Sequence, residues 1–205
     1  ISIEEYPFNN PEKIETLVLW KHPKNILSQF PNLKWISSLG AGVDHILRDE
    51  SLPKDIPITR IVDSELTILM RKYVMMCILN FQKDIWGIMD FNSNKDWANN
   101  RPIEQDLKIG IMGLGALGKD IAIHLQNIGY QVFGYSFSKK EIPKVQTFSK
   151  ARNELDDFLK SINCLVNLMP LTFETKGILN ENLFKKLPDS SFLVNVGRGA
   201  HLVDE

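Results

Sequence analysis

The feature that most constrains the fold is a glycine-rich turn between an apolar run and a helix-period pattern. Residues 107–118 read Leu-Lys-Ile-Gly-Ile-Met-Gly-Leu-Gly-Ala-Leu-Gly, which places Gly113, Gly115 and Gly118 directly after a predicted strand. In a strand–turn–helix unit, the first glycine allows the turn and the second lets the backbone approach a ligand. The third lets helix and strand pack closely, and the helix N-terminus offers N–H groups and partial positive charge to an anion.

The surrounding sequence separates this motif from an ordinary glycine-rich loop. Four apolar residues fall on one face of the predicted helix: Leu117, Ile121, Leu125 and Ile128. A second strand is predicted at 131–136, which is the spacing of a βαβ unit. We therefore interpret the three glycines, together with Ala116 and Leu117, as a dinucleotide-binding turn. The alternative is a turn with a purely structural role.

Composition narrows the class of protein. The chain has 205 residues, 43% of them hydrophobic, which allows one large domain or two small ones. A net charge of -1 argues against a nucleic-acid partner. Because no apolar run approaches a membrane span and no signal peptide is recognised, we expect a cytoplasmic protein without a membrane partner. Cys77 and Cys164 lie in apolar runs without metal-ligand spacing, which indicates buried reduced thiols and no metal site.

The chain divides into two predicted domains, 1–92 and 93–205. In the first, apolar runs predict strands at 16–20, 35–39 and 58–62, a short helix after Gly42 and a long helix from 66 to about 89. Residues 91–105 are rich in Asn and contain Pro102, so we place the crossing between the domains there.

The second predicted domain alternates strands with helices. Strands are predicted at 107–112, 131–136, 164–168 and 192–196, and helices at 117–128, 152–161 and 181–187, the last capped by Asn180. This alternation predicts an α/β fold with a doubly wound parallel sheet of the Rossmann type.

The residues after the second of these strands indicate which dinucleotide binds. A site for NAD usually carries Asp or Glu about 20 residues past the glycines, where the carboxylate binds the ribose 2′-hydroxyl. Here residues 135–140 read Tyr-Ser-Phe-Ser-Lys-Lys, with no carboxylate before Glu141. The hydroxyls of Ser136 and Ser138 and the ammonium groups of Lys139 and Lys140 suit a 2′-phosphate. We therefore predict NADP as the preferred cofactor and NAD as the second choice; the alternative is that both lysines are merely solvated.

A second group of residues, Asn195-Val196-Gly197-Arg198-Gly199, closes the last predicted strand. The C-terminal ends of strands in such a sheet face the ligand crevice. The glycines let the backbone pass close to a ligand, and the guanidinium of Arg198 presents a planar fork suited to a carboxylate. The alternative is a surface arginine that pairs with a nearby acid.

The motifs together resemble those of the D-2-hydroxyacid dehydrogenase family. Two carry the resemblance after the glycine turn: the Pro-Leu-Thr-x-Glu-Thr-x-Gly segment at 170–177 and the Asn-Val-Gly-Arg-Gly strand end. Within the family the chain is most similar to the glyoxylate/hydroxypyruvate reductase A branch, through the segments 20–23, 39–44 and 135–140. The resemblance covers nearly the whole chain and implies a Rossmann domain beside part of a flavodoxin-like substrate domain.

The resemblance implies roles for particular residues. Arg198 is implied to be catalytic, holding the substrate carboxylate and polarising its carbonyl. For the substrate, the resemblance implies that Trp20 lines the pocket and that the loop of Gly40, Ala41, Gly42 and Val43 presents N–H groups to the carboxylate. For the cofactor, it implies that Met169, Pro170 and Leu171 lie beside the adenosine. Val196 and Gly197 are implied to lie beside the nicotinamide ribose. A 2-oxo acid needs such cationic and amide donors, and hydride transfer needs a preorganised pocket.

The chain also departs from the family pattern. Phe137 stands where members near this branch often have Arg, and Lys72 stands where many members carry Glu. The family's general acid, a His oriented by a carboxylate, lies C-terminal of the Arg-Gly motif, so we expect both groups outside this chain and the chain to be truncated. We interpret His201 as a helix-start or surface histidine, and His22, His45 and His124 match no catalytic motif.

The resulting hypothesis is an NAD(P)H-dependent reductase, preferring NADPH, that converts glyoxylate or hydroxypyruvate to the 2-hydroxy acid. A homodimer is implied by the resemblance. Two alternatives remain: a non-catalytic dinucleotide-sensing scaffold, and a truncated chain that keeps only its fold. Retention of Arg198 and the Gly-Ala-Gly loop favours the enzyme, because a sensor needs no carboxylate clamp.

Overall fold

The computed structural model describes residues 7–85, 89 and 106–204. The chain folds into two compact units, Ile1–Asp63 and Ser64–Glu205. The sequence instead places the boundary at 92/93, within a predicted crossing at 91–105 that lies outside the described residues. The boundary falls earlier in the structure because the long helix after Asp63 packs into the second unit.

The first unit contains a three-stranded parallel sheet in the order β1-β2-β3. Its elements are β1 (Thr16–Leu19), β2 (Trp35–Ser38), α1 (Asp44–Leu47) and β3 (Ile58–Arg60), with 3-10 helices at Pro11–Lys13 and Ile26–Gln29. Burial alternates along β2, where Ile36 is buried and Trp35 exposed, because one face of the strand meets the core. The core consists of Leu19, Ile26, Leu27, Phe30, Leu33, Ile36 and Ile46. The three predicted strands are confirmed, each slightly shorter than expected.

A buried carboxylate joins two irregular segments of the first unit. Asp49 accepts hydrogen bonds from the amide and hydroxyl of Ser51 at 2.9 and 2.6 Å, and from the Asn25 amide at 3.3 Å. The Nε2 of His22 lies 2.9 Å from its other oxygen. Burial raises the pKa of the Asp49 carboxyl, but the hydrogen bonds from Ser51 and His22 outweigh it, and the pKa lies below its ordinary value. Asp49 is therefore an ionised tie between the segments that follow β1 and α1.

This tie predicts an acid-dependent loss of stability. A depressed folded-state pKa contributes stability that is complete above the unfolded pKa of about 3.9 and is lost as the pH falls through the folded value. We expect Asp49→Asn to lower the free energy of unfolding by about 1–3 kcal/mol near neutral pH, and to flatten its decline below about pH 4. Urea unfolding followed by circular dichroism measures both effects. The exposed Asp55, changed to Asn, is the control, and pH profiles of wild type and Asp49→Asn that run parallel would contradict the assignment.

The second unit contains a five-stranded parallel sheet in the order β6-β5-β4-β7-β8. Its strands are β4 (Lys108–Met112), β5 (Gln131–Ser136), β6 (Gln146–Ser149), β7 (Cys164–Asn167) and β8 (Phe192–Asn195). The helices are α2 (Ser64–Gln82), α3 (Ala116–Asn127), α4 (Leu155–Lys160) and α5 (Glu181–Phe184). The first strand of this sheet along the chain, β4, lies in the centre. The chain then continues outward through β5 to the edge strand β6, and crosses back to form β7 and β8 on the other side of β4. The predicted doubly wound parallel sheet is confirmed.

The long helix α2 belongs to the second unit because its contacts lie there. Val74 and Ile78 are fully buried in the core formed with α3 and the sheet. Phe81 stacks on Phe192 of β8 with ring centroids 4.4 Å apart. The structure ends α2 at Gln82, whereas the sequence extends the helix to about 89; residues 86–88 of that extension are not described.

The prediction missed one strand and misplaced a helix start. Residues 146–149, Gln-Thr-Phe-Ser, form β6, although the segment is short and three of its four side chains are polar. The predicted helix at 152–161 is a 3-10 turn, Lys150–Arg152, followed by α4. Asn153 adopts a left-handed conformation with φ 57 and separates the two. The predicted Asn180 cap of α5 is confirmed, since its side chain accepts a hydrogen bond from the Leu183 amide at 3.1 Å.

The two cysteines differ in burial. Both are free thiols, and Cys164 is buried in β7, as expected, whereas Cys77 is only partly buried. Burial, with a smaller contribution from Cys77, raises the pKa of the Cys164 thiol to about 12. Cys164 is therefore an unreactive core residue.

Candidate functional site

The turn after β4 is built around a close approach of two backbones. Gly113 has φ 107, in the left-handed region that favours glycine, and its amide donates to the carbonyl of Tyr135 at 2.8 Å. A Cβ on this residue would lie 2.8 Å from the carbonyl carbon of Leu168 and from the amide nitrogen of Met169. The first glycine of the motif therefore brings the end of β4 against the segment that leaves β7.

The other two glycines have distinct surroundings. A Cβ on Gly118 would overlap the carbonyl oxygen of Gly113, so α3 could not pack this close to the turn with any other residue. A Cβ on Gly115 would meet nothing within 4 Å. Gly115 is the N-cap of α3, and no side chain caps the helix there. The first amides of α3, starting at Ala116 and Leu117, thus face open space beside Gly115, and a pyrophosphate fits this cradle.

This geometry predicts opposite effects of two substitutions. We expect Gly115→Asp to leave the urea midpoint unchanged or slightly raised, because Asp is a good N-cap residue and the space is open. The added carboxylate should weaken NADPH binding by about tenfold or more, since it occupies the phosphate position with like charge. Gly118→Ala should instead lower the urea midpoint. Fluorescence titration and urea unfolding measure the two effects, and an unaltered NADPH affinity in Gly115→Asp would show that the cradle does not hold the phosphates.

A buried histidine fixes the ends of β7 and β8. His201 is fully buried. Its Nδ1 accepts hydrogen bonds from the side-chain amide of Asn167 at 3.0 Å and from the Arg198 amide at 3.1 Å. Because Nδ1 accepts from two donors, the proton lies on Nε2, which donates to the Pro170 carbonyl at 3.3 Å. His201 was interpreted as a helix-start or surface histidine, and the surface position is wrong: the side chain is buried at the end of the 3-10 helix Gly199–His201 and joins the segment leaving β7 to the loop after β8.

The predicted residues around this network lie at the C-terminal edge of the sheet. The amide of Met169 donates to the Asn167 side chain at 3.2 Å, and Leu171 is buried. Val196 and Gly197, directly after β8, are partly buried. Arg198 is exposed, and one guanidinium nitrogen donates to the Gly197 carbonyl at 3.0 Å. The structure thus brings Arg198 and the predicted adenosine and ribose segments to the same edge as the glycine turn.

The segment predicted to bind the 2′-phosphate follows β5. Ser136 donates to the Ser138 carbonyl at 2.7 Å, and Phe137 is 69% exposed. The ammonium of Lys139, predicted to bind the phosphate, donates to the Thr147 carbonyl of β6 and lies 5.9 Å from the Phe148 ring centroid. Lys140 is exposed at the same turn.

Sequence analysis missed a lysine close to this segment. Lys150 follows β6, and its ammonium lies 5.7 Å from the centroid of the Phe137 ring. The position of Lys150 beside Phe137 could not be predicted without β6, which the sequence pattern did not indicate. Once β6 is paired with β5, Ser149 lies opposite Ser136, so the residues that follow them are neighbours.

In the first unit, the loop after β2 lies against Trp20. Trp20 follows β1 and is 56% exposed, and a Cβ on Gly40 would overlap its indole ring. The Gly40 amide donates to the Ser38 hydroxyl at 3.2 Å, which in turn donates to the Gly42 carbonyl at 3.0 Å. Gly40 therefore shapes the loop and its amide is already used, whereas Ala41, Gly42 and Val43 remain predicted carboxylate-binding residues.

Comparison with known proteins places the chain in a family. The sequence model described as "D-isomer specific 2-hydroxyacid dehydrogenase, NAD binding domain" matches residues 75–205. The chain belongs to the D-isomer specific 2-hydroxyacid dehydrogenases, as its motifs predict. It is similar to the glyoxylate/hydroxypyruvate reductase A of Serratia proteamaculans, with 36% identity over 194 residues, and to that of Yersinia enterocolitica, with 32% over 209 residues. The alignments cover 92% and 99% of this chain, and 62% and 66% of the relatives.

Solved structures give the same placement. A D-isomer specific 2-hydroxyacid dehydrogenase from Xanthobacter autotrophicus Py2, in complex with NADPH and MES, superposes with a TM-score of 0.85 at 32% identity, covering 95% of this chain and 62% of that one. An NADPH-dependent glyoxylate/hydroxypyruvate reductase from Sinorhizobium meliloti, in complex with NADP and sulfate, gives a TM-score of 0.83 at 39% identity, with 94% and 62% coverage. The chain thus spans about 62% of these proteins.

Two general findings complete the description of the site. Over the described residues, no helix has the length and apolar character needed to cross a membrane. Within the same part of the chain, no three or more His, Cys, Asp or Glu side chains are grouped so that they could hold a metal ion.

Proposed function

We propose that this chain provides the cofactor-binding and substrate-anchoring groups of an NADPH-dependent reductase of small 2-oxo acids, such as glyoxylate and hydroxypyruvate. One observation carries the proposal. The glycine cradle after β4 and the Arg198 loop after β8 lie at the same edge of one parallel sheet, on either side of β7. A dinucleotide held at this edge needs its phosphates at the helix N-terminus and its reactive end near the substrate anchor.

The chain's own groups would perform the binding steps. Bound NADPH supplies the hydride. The amides of Ala116 and Leu117 hold the pyrophosphate against the N-terminus of α3. Arg198 binds the substrate carboxylate through its guanidinium fork and stabilises the negative charge that develops on the carbonyl oxygen. In the first unit, the amides of Ala41, Gly42 and Val43 provide further donors for a carboxylate.

We assign none of the four histidines as the general acid that would deliver a proton to the substrate oxygen. His22 is bound to the buried Asp49, and its side chain is 5% exposed. His201 is buried and uses both ring nitrogens to hold the backbone. His45 lies against Trp20, with ring centroids 5.7 Å apart, and His124 lies in the last turn of α3. The family resemblance implies a general acid C-terminal to the Arg198 motif.

The proposed preference for NADP rests on charge. No carboxylate follows β5 before Glu141, whereas hydroxyl and ammonium groups do. A 2′-phosphate carries about two negative charges, which cations stabilise and which a carboxylate would repel. The NADPH and NADP complexes of the Xanthobacter and Sinorhizobium proteins support the same choice.

The reductase activity is tested by the response of the protein to Arg198 substitution. We expect the protein to oxidise NADPH in a reaction that depends on glyoxylate. Arg198→Gln should lower kcat/KM for glyoxylate by about 100-fold. Arg198→Lys should recover only part of it, because an ammonium lacks the planar fork. NADPH binding without any response to a 2-oxo acid would favour the dinucleotide-sensing scaffold over the reductase.

A homodimer is also proposed, from the outer face of α2. Five apolar side chains of this helix are 38–63% exposed: Leu66, Leu69, Tyr73, Met76 and Leu79. They recur at helical spacing, and a continuous exposed apolar face of this kind is typical of an interface. Two copies of α2 would bury it.

If the exposed face of α2 forms the dimer interface, a charged residue on that face should convert the dimer to a monomer. We expect Leu69→Glu to shift the sedimentation coefficient from that of a dimer to that of a monomer, because the charge would be buried without a partner. Ile128→Glu, at a half-exposed position after α3, is the control and should sediment as wild type. A wild-type protein that sediments as a monomer at micromolar concentration would rule the dimer out.

A further inference from the structure

Two neighbouring strands of the second unit end side by side. β5 and β6 are parallel, and Ser136 of β5 lies opposite Ser149 of β6. Phe137 and Lys150 are therefore the first residues beyond two paired strands, at the edge that faces the ligand crevice. The amide of Ala151 donates to the Phe137 carbonyl at 3.0 Å, which fixes the two strand ends together.

The side chain of Lys150 lies over an exposed aromatic ring. Its ammonium is 5.7 Å from the Phe137 centroid, within the range of a cation–π contact. It also lies 2.5 Å from a carboxylate oxygen of Glu174, in the segment that follows β7. The side chains of Lys150 and Glu174 are 50% and 60% exposed. An ion pair this exposed is weak, so a stronger anion can displace Glu174 at little cost.

The neighbouring lysine is committed elsewhere. The ammonium of Lys139 donates to a backbone carbonyl of β6 and lies over the Phe148 ring. Moving it to a ligand would leave the carbonyl of the buried Thr147 without this donor. Lys150, in contrast, would only exchange the exposed carboxylate of Glu174 for a phosphate.

We propose that Lys150 is the cation that selects NADP, and that Glu174 competes with the 2′-phosphate for it; this inference rests on the proposed function. The adenosine ribose of a dinucleotide lies at the end of the second strand of the βαβ unit, which is Ser136 here. The Phe137 ring holds the Lys150 ammonium beside that position. Lys150, the first residue after β6, thus supplies positive charge at the end of β5.

The test compares dissociation constants of NADPH, NADH, 2′,5′-ADP and ADP for wild type and four variants. Lys150→Ala should weaken NADPH and 2′,5′-ADP by about tenfold or more, as a lost charge-assisted hydrogen bond does, and change NADH and ADP less than about twofold. Lys150→Arg should keep the preference for the phosphorylated ligands. Glu174→Gln should strengthen NADPH binding, because it removes the competing and repelling carboxylate. Lys160→Ala, at the end of α4, is the control and should match wild type.

The outcomes separate this inference from the proposed function. If wild type prefers NADPH and Lys150→Ala keeps that preference, the inference is overturned while the proposed cofactor stands. If Glu174→Gln weakens NADPH, Glu174 is not a competitor and that half of the inference fails. If wild type binds neither NADPH nor 2′,5′-ADP, both proposals fail. Urea midpoints of all variants show whether each is folded, and the opposite signs expected for Lys150→Ala and Glu174→Gln exclude general destabilisation.

Discussion

The second unit depends on the contact between Gly113 and the backbone of Leu168 and Met169. A Cβ at Gly113 would lie 2.8 Å from that backbone, so the end of β4 and the segment leaving β7 can approach this closely only with glycine. These are the two strands between which the chain reverses its direction across the sheet. The contact therefore sets where the crevice lies. The packing of Gly118 on the Gly113 carbonyl then places the N-terminus of α3 in the crevice, and the open space at Gly115 leaves that terminus accessible.

A polar network holds the other side of the same crevice. Asn167, fully buried at the end of β7, is bonded to Asn195 at the end of β8 and to His201. His201 in turn accepts a hydrogen bond from the Arg198 amide and donates one to the Pro170 carbonyl. Buried polar groups of this kind stabilise a fold only when all are satisfied, and here each has its partners. The exposed guanidinium of Arg198 consequently stands on a rigid backbone, which is what recognition of a small carboxylate requires.

Much of this could be predicted from local sequence. The glycine turn, the strands β4, β5, β7 and β8 and the Asn180 cap each follow from residues that are close in the chain. Features that depend on distant contacts were not predictable in the same way. β6 is short and three of its four residues are polar, and it becomes a strand only by pairing with β5. The burial of His201 follows from its contacts with Asn167 and Pro170, more than 30 residues away in sequence, and α2 contacts Phe192, which is also distant along the chain.

The lysines at the candidate ribose site show the same limit. The sequence identifies Lys139 and Lys140 because they follow β5 directly, yet the ammonium of Lys139 bonds to β6. Lys150 lies beside Phe137 only because β5 and β6 pair. The local sequence predicts cations close to the end of β5, whereas which ammonium lies beside that end depends on tertiary packing.

The most direct test of the central claim is a crystal structure of the protein with NADPH. We predict that the pyrophosphate lies beside Gly115, bonded to the first amides of α3, that the 2′-phosphate lies at the ends of β5 and β6, and that the nicotinamide is directed toward the Arg198 loop. A pyrophosphate bound anywhere other than the N-terminus of α3 would contradict the account.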